Sequence, residues 1–243
     1  SMGLGDEVIK SLTTVLDKLP NCDTLMLADN RLTDDSLIDL CEKVTHMHSL
    51  THLDISYNKM DESSKIIFEY LINPHCDLKV LVMEHSDIDD FECGDLMDAL
   101  KVNKSLRSLD LQDNLLGEKE QLNVVLPELL TGGEAVGEML TVNKYLTELD
   151  VSWNSIRGDS AQELAECLES NNTIKTLCMS HNAFGDVPSQ VIGDVLSRNK
   201  SITHLDMSFN SVSPAAAMVI ANAFTKNVTV EFLLLNGNNI GRR

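Results

Sequence analysis

The sequence predicts an α/β repeat fold in which one short strand and one helix recur along the chain. Three observations predict it. The first is a marker position, occupied in order by Asn30, Asn58, Ser86, Asn114, Asn154, Asn182, Asn210 and Asn238, with steps of 28, 28, 28, 40, 28, 28 and 28 residues. Six equal intervals in seven mark an internal repeat, which must be read before any local pattern. The second is the stretch 146–156, Leu-Thr-Glu-Leu-Asp-Val-Ser-Trp-Asn-Ser-Ile. Its apolar residues Leu146, Leu149, Val151 and Ile156 keep neither a strand nor a helix spacing throughout, as a short strand running into a turn would. The third is a helical stripe after each such stretch.

In order, Val8, Ile9, Leu12, Val15 and Leu16 form the first helical stripe, that of a repeat whose own strand is missing. The first strand is expected over Thr24 to Ala28, with Leu25 and Leu27 inward, and Leu37, Leu40 and Val44 supply the helix behind it. The second repeat offers Leu53 and Ile55, then Ile67, Phe68, Leu71 and Ile72. In the third, Met83 and Ser86 replace the usual aliphatic and Asn. A buried Asn satisfies backbone groups of the turn, and the shorter Ser replaces only part of that. A looser loop with faster amide exchange is therefore expected over 86–90 than over 182–185. The long step places a 12-residue insertion within 117–134. There Leu122, Val125, Leu126, Leu129 and Leu130 suggest an added helical segment, and Gly132-Gly133 a break before Val136, Met139 and Leu140. Repeats five to seven are the most regular. The chain begins inside a repeat and stops five residues after Asn238 with no polar capping helix, so a fragment of a longer protein is expected.

The repeat resembles a leucine-rich repeat, of the ribonuclease-inhibitor-like class whose units carry a full helix. The resemblance covers essentially the whole chain, residues 1–243. It implies one right-handed α/β horseshoe, about eight repeats long, with eight parallel strands on the concave face and helices on the convex face. Such scaffolds serve many purposes, so the resemblance implies a shape more sharply than a partner.

Composition narrows the partner. The chain carries 19 basic and 38 acidic side chains, a net charge of −19. So acidic a surface repels phosphate backbones and anionic lipid, which argues against nucleic acid and membrane and for a protein with a basic surface. The six cysteines form no Cys-x-x-Cys pair, which fits reduced thiols in a cytoplasmic or nuclear protein. Sequons begin at Asn103, Asn171, Asn199 and Asn227, but all share one repeat position and are read as repeat structure.

Residues between the core leucines alternate outward onto the concave face. One column is Met26, Asp54, Val82, Asp110, Asp150, Cys178, Asp206 and Leu234. A second is Ala28, Ser56, Glu84, Gln112, Ser152, Ser180, Ser208 and Asn236. A third, at the strand exit, is Asp29, Tyr57, His85, Asp113, Trp153, His181, Phe209 and Gly237; His52, Glu148, His204 and Phe232 precede them. Exposed rings beside carboxylates have the composition of an interface hot spot. The candidate partner-binding residues are Tyr57, Trp153, Phe209, His181, Asp113, Asp150, Asp206, Glu148 and Phe232. The Asp column also reads as scaffold, since Leu-Asp-Leu is a common wording of the family's strand.

Other constellations carry less. His46, His48 and His52 lack metal-ligand spacing. Asp87, Asp89, Asp90 and Glu92 miss a calcium loop because Phe91 and Gly94 fall out of place. Leu126-Pro-Glu-Leu-Leu130 reads as core leucines. No nucleophile has an activating turn or oxyanion donor, and no glycine loop cradles phosphate. The expected function is a non-enzymatic protein-binding scaffold, without cofactor, metal or small-molecule substrate. The alternatives are a regulator resembling the Ran GTPase-activating proteins and an actin-filament module resembling tropomodulin's repeat domain.

Overall fold

The computed structural model describes residues 5–16, 18–117 and 130–241. Its strands are β1 (Thr24–Met26), β2 (His52–Asp54), β3 (Val80–Val82), β4 (Ser108–Asp110), β5 (Glu148–Asp150), β6 (Thr176–Cys178), β7 (His204–Asp206) and β8 (Phe232–Leu234). All are parallel and lie in one sheet in chain order. The helices among the described residues are α1 (Gly5–Leu16), α2 (Asp34–Val44), α3 (Glu62–Ile72), α4 (Asp90–Val102), α5 (Gly132–Val142), α6 (Gly158–Cys167), α7 (Asp186–Leu196) and α8 (Pro214–Ala223). Each packs against the next. Strands stack about 4.8 Å apart and helices need about 8–10 Å, so a stack of such units bends with the strands inside. The α/β solenoid is as the repeat predicted.

The strand register aligns Leu25, Leu53, Leu81, Leu109, Leu149, Leu177, Leu205 and Leu233 as one core column. Only Leu25 and Leu233, in the end repeats with a single neighbour, are incompletely buried. Strands are shorter than expected, three residues each; β1 stops at Met26 instead of Ala28.

Two asparagine columns tie each repeat to the one before. Asn58, Asn114, Asn154, Asn182, Asn210 and Asn238 donate side-chain N–H groups to the carbonyls of Leu27, Met83, Leu111, Val151, Met179 and Met207. Behind the helices, Asn103, Asn143, Asn171, Asn199 and Asn227 do the same to Leu71, Leu100, Leu140, Leu168 and Leu196. The four sequon asparagines belong to this second column. Their amides are buried and already bonded, which explains the recurrence as repeat structure.

Ser86 corrects the expected loose loop. Its own N–H and that of Ile88 are bonded to Asn114 Oδ1 at 3.0 Å, as in regular repeats. The missing amide would have served the preceding turn, as Asn58 Oδ1 serves the N–H groups of Asn30 and Leu32. There the carbonyl of Ser86 accepts the Met60 N–H at 3.1 Å instead. In its own turn the Ser86 hydroxyl donates to the Glu84 carbonyl at 3.2 Å, as a marker Asn does two residues back, so the N–H groups left without an Oδ1 acceptor are those of 58–60.

The first residue of one helix also caps the next. Asp34 accepts N–H bonds from Asp61, Glu62 and Ser63 and the Ser63 hydroxyl proton, and Asp186 accepts from Ser213. Burial opposes ionisation of Asp34, yet the donors, Ser63 foremost, hold its pKa below the ordinary carboxylate value. Asp90 does this across the insertion: its Oδ1 accepts both the Gly117 and the Gly132 N–H at 2.7 Å. The chain thus leaves and returns at one carboxylate, and β4 and β5 pair directly, Asp110 opposite Asp150. The suggested helical segment at Leu122 to Leu129, and most of the Leu126 to Leu130 box, lie outside the described residues. Gly132-Gly133 opens α5, capped by Thr131 and Glu134, and a Cβ at either position would collide with Leu116 or Ser160.

Candidate functional site

The strand exit is shaped by backbone conformation. Asp29, Tyr57, His85, Asp113, Trp153, His181 and Phe209 all have φ between 48° and 56°, and Gly237 has φ 65°. This left-handed conformation ends each strand, and it disfavours most side chains by about 1 kcal/mol per residue. Repeated at the strand spacing, it stands neighbouring side chains side by side at close to the separation of stacked rings. Trp153 and His181 stack with centroids 3.7 Å apart, and His181 and Phe209 at 4.2 Å. Phe209 then lies over Gly237, where a Cβ would collide with its ring. Trp153 stays 52% exposed and Phe209 49%, so the ladder's edge faces solvent. A cavity of about 230 Å³ opens beside it, reaching Ser155, Arg157 and Ala183.

A second group lies upstream on the same edge. Tyr57 stacks on His85 at 5.1 Å, and His85 Nδ1 lies 2.7 Å from the Asp113 carboxylate. The Tyr57 hydroxyl donates to Glu84 Oε1 at 2.5 Å, a bond that pushes the phenol up to about 12. Gln112 donates to the same oxygen.

Below the ladder, the strand register puts Asp110 beside Asp150, and Asp206 beyond Cys178. Asp54, Asp110, Asp150 and Asp206 each accept, through Oδ1, the N–H two residues on, at 2.8–3.0 Å. That bond closes the strand-ending turn, so these aspartates do have a scaffold role. The turn also rotates the next position inward. Ser56, Ser152, Ser180 and Ser208 are buried, which corrects their expected place on the concave surface, whereas Glu84 and Gln112 remain partly exposed.

Burial first, and then the charges of Asp150, Glu84 and Asp54, push Asp110 up to about 6. Burial, then Asp150 and Asp206, likewise push the Cys178 thiol up to about 12, leaving it un-ionised at neutral pH. A raised carboxylate pKa means the folded state holds the proton better than the unfolded chain does. That stabilisation is fully present below about pH 4 and is lost as pH rises through about 6. Asp110→Asn is therefore expected to stabilise the protein by about 1–2 kcal/mol at pH 8 and to match it at pH 4. Thermal melts at the two pH values check this; an equal gain at both would assign the effect to packing.

Of the residues singled out from sequence, the structure brings Trp153, His181 and Phe209 into one stack, with Asp113 on the next rung and Asp150 and Asp206 below. Tyr57 belongs to the separate upstream group. Glu148 is exposed at the first position of β5, and Phe232 stacks on His204 at 4.5 Å, away from the ladder. His85, His204 and Glu84 were not among the candidates. Their signal was present, since each shares a 28-residue column or a rung with a residue that was.

A family profile described as Leucine Rich repeat matches residues 46–62, 102–117, 142–165 and 198–221. The chain is 28% identical over 170 residues to a mouse ribonuclease inhibitor, covering 62% of the chain and 37% of the inhibitor. It is 31% identical over 187 residues to mouse NACHT, LRR and PYD domains-containing protein 14, covering 68% and 18% respectively. A solved structure of leiomodin-1 actin-binding site 2 matches with TM-score 0.43 and 20% identity, over 78% of this chain and 87% of that one. The chain thus spans well under half the length of these two relatives.

Proposed function

Because this chain is a leucine-rich repeat protein of the ribonuclease-inhibitor-like class, we propose that it is a non-enzymatic scaffold that holds a protein partner on its concave face and strand-exit edge. The exposed stack Trp153–His181–Phe209, set above carboxylates, carries this reading. Rings held half-exposed by their neighbours lose little freedom on binding and bury much area, the properties of hot-spot residues. The binding surface includes Asp113, Asp150 and Asp206, with Tyr57, Glu148 and Phe232 toward its margins.

The partner has a basic surface. Asp54, Glu84, Asp110, Asp150 and Asp206 form no ion pair with a Lys or Arg side chain among the described residues. Ribonuclease inhibitors, by name, act on a protein, which supports a protein ligand here. The six cysteines are free, in keeping with a cytoplasmic or nuclear setting, and no described helix is long and apolar enough to cross a membrane.

The test is affinity capture from lysate with the native chain and a Tyr57→Ala/Trp153→Ala/Phe209→Ala variant of equal melting temperature. A protein held by the first and released by the second is expected, with an association rate that falls as salt rises. Retention by both would remove the exit edge from the binding surface.

A further inference from the structure

The exit column is interrupted once. From Tyr57 to Asp113 the rungs are joined by stacking and a polar contact between His85 and Asp113, and from Trp153 to Gly237 by ring on ring. Asp113 and Trp153 are adjacent rungs, since the Asp113 N–H bonds to the carbonyl of Ser152. Yet no ring contact, hydrogen bond or ion pair joins their side chains. Among the described residues, Trp153 therefore has His181 against one face and a carboxylate rung, not a ring, on its other side. Three residues back on the same two strands, Asp110 and Asp150 stand opposite each other, and among the described residues neither forms an ion pair with a Lys or Arg.

We infer that this break is a seat for an arginine of the partner, its guanidinium lying against the side of Trp153 away from His181 and pairing with Asp113, above Asp110 and Asp150. The assignment rests on the protein-binding reading and adds the residue recognised. A flat, delocalised cation can stack on an indole and fork to a carboxylate at once, which the compact, strongly hydrated ammonium of lysine does less well. The crowding that disfavours the ionised state of Asp110 is relieved when such a cation arrives. Asp90 holds both ends of the 40-residue step, and the two strands that carry the seat pair directly.

Trp153 is the only tryptophan of the chain, so its emission reports on this seat without a label. N-acetyl-arginine amide, N-acetyl-lysine amide and N-acetyl-citrulline amide are titrated at one ionic strength. The arginine compound is expected to give a saturable change with a midpoint at least about threefold below that of lysine, and the neutral citrulline compound none. Asp113→Asn, exposed and leaving the reporter in place, is expected to raise the arginine midpoint about fivefold at unchanged melting temperature. Equal responses to arginine and lysine, no saturation, or indifference to Asp113→Asn would each overturn the assignment. Failure here is separable from failure of the scaffold reading. If the ladder variant loses its captured protein while arginine leaves Trp153 unchanged, protein binding stands and the arginine seat falls.

Discussion

Asn182→Ala is expected to lower the unfolding free energy by about 3–4 kcal/mol, the sum of several buried polar groups left without partners. The Asn182 side chain is 1% exposed. Its amide donates to the carbonyls of Val151, Met179 and Ser180 at 2.8, 3.2 and 3.2 Å, and its Oδ1 accepts the Ile156 N–H at 3.1 Å. Alanine removes every one of these bonds and leaves a space too enclosed for solvent to repair them. Because each repeat is held only by its neighbours, the loss falls on the interface between repeats five and six. Asn172→Ala is the control. Asn172 is exposed, and its removal is expected to change stability by no more than about 0.5 kcal/mol. Urea denaturation of the three proteins decides the matter, and a loss below about 1 kcal/mol for Asn182→Ala would show that the asparagine column is not what ties the repeats together.

The second large effect is expected at Asp90. One buried carboxylate oxygen holds the N–H groups of Gly117 and Gly132, the two ends of the insertion. Asp90→Ala strands both donors in a site where Leu116 crowds Gly132, and is expected to cost about 3 kcal/mol. Asp90→Asn keeps an acceptor but loses the charge assistance, so a loss of about 1 kcal/mol is expected. Hydrogen exchange on Asp90→Ala should show the Gly117 and Gly132 amides losing protection before those of β4. Equal losses in the two variants would mean that the charge, and not the bridging geometry, is what matters at this position.

The repeat length, the alternation of strand and helix, the core leucines and the outward exit column were all legible in the chain. The reason is that a 28-residue period forces chemically equivalent residues into equivalent places, so Trp153, His181 and Phe209 could be set in one column before any coordinates. What only the tertiary structure decided depends on backbone direction and on partners in the neighbouring repeat. The left-handed exit residues turn the rings face to face, and the same turn draws Ser152 and Ser208 inside while using Asp150 and Asp206 to close it. The compensation at Ser86 comes from its carbonyl meeting Met60, a contact that a side-chain reading has no means to register. Asp90, which the sequence places in an acidic turn without a calcium-loop pattern, becomes the closure of the insertion only because folding brings together two glycines that lie 27 and 42 residues beyond it. A sequence period reports which positions are equivalent. Hydrogen-bond geometry between successive turns determines what each of those positions does.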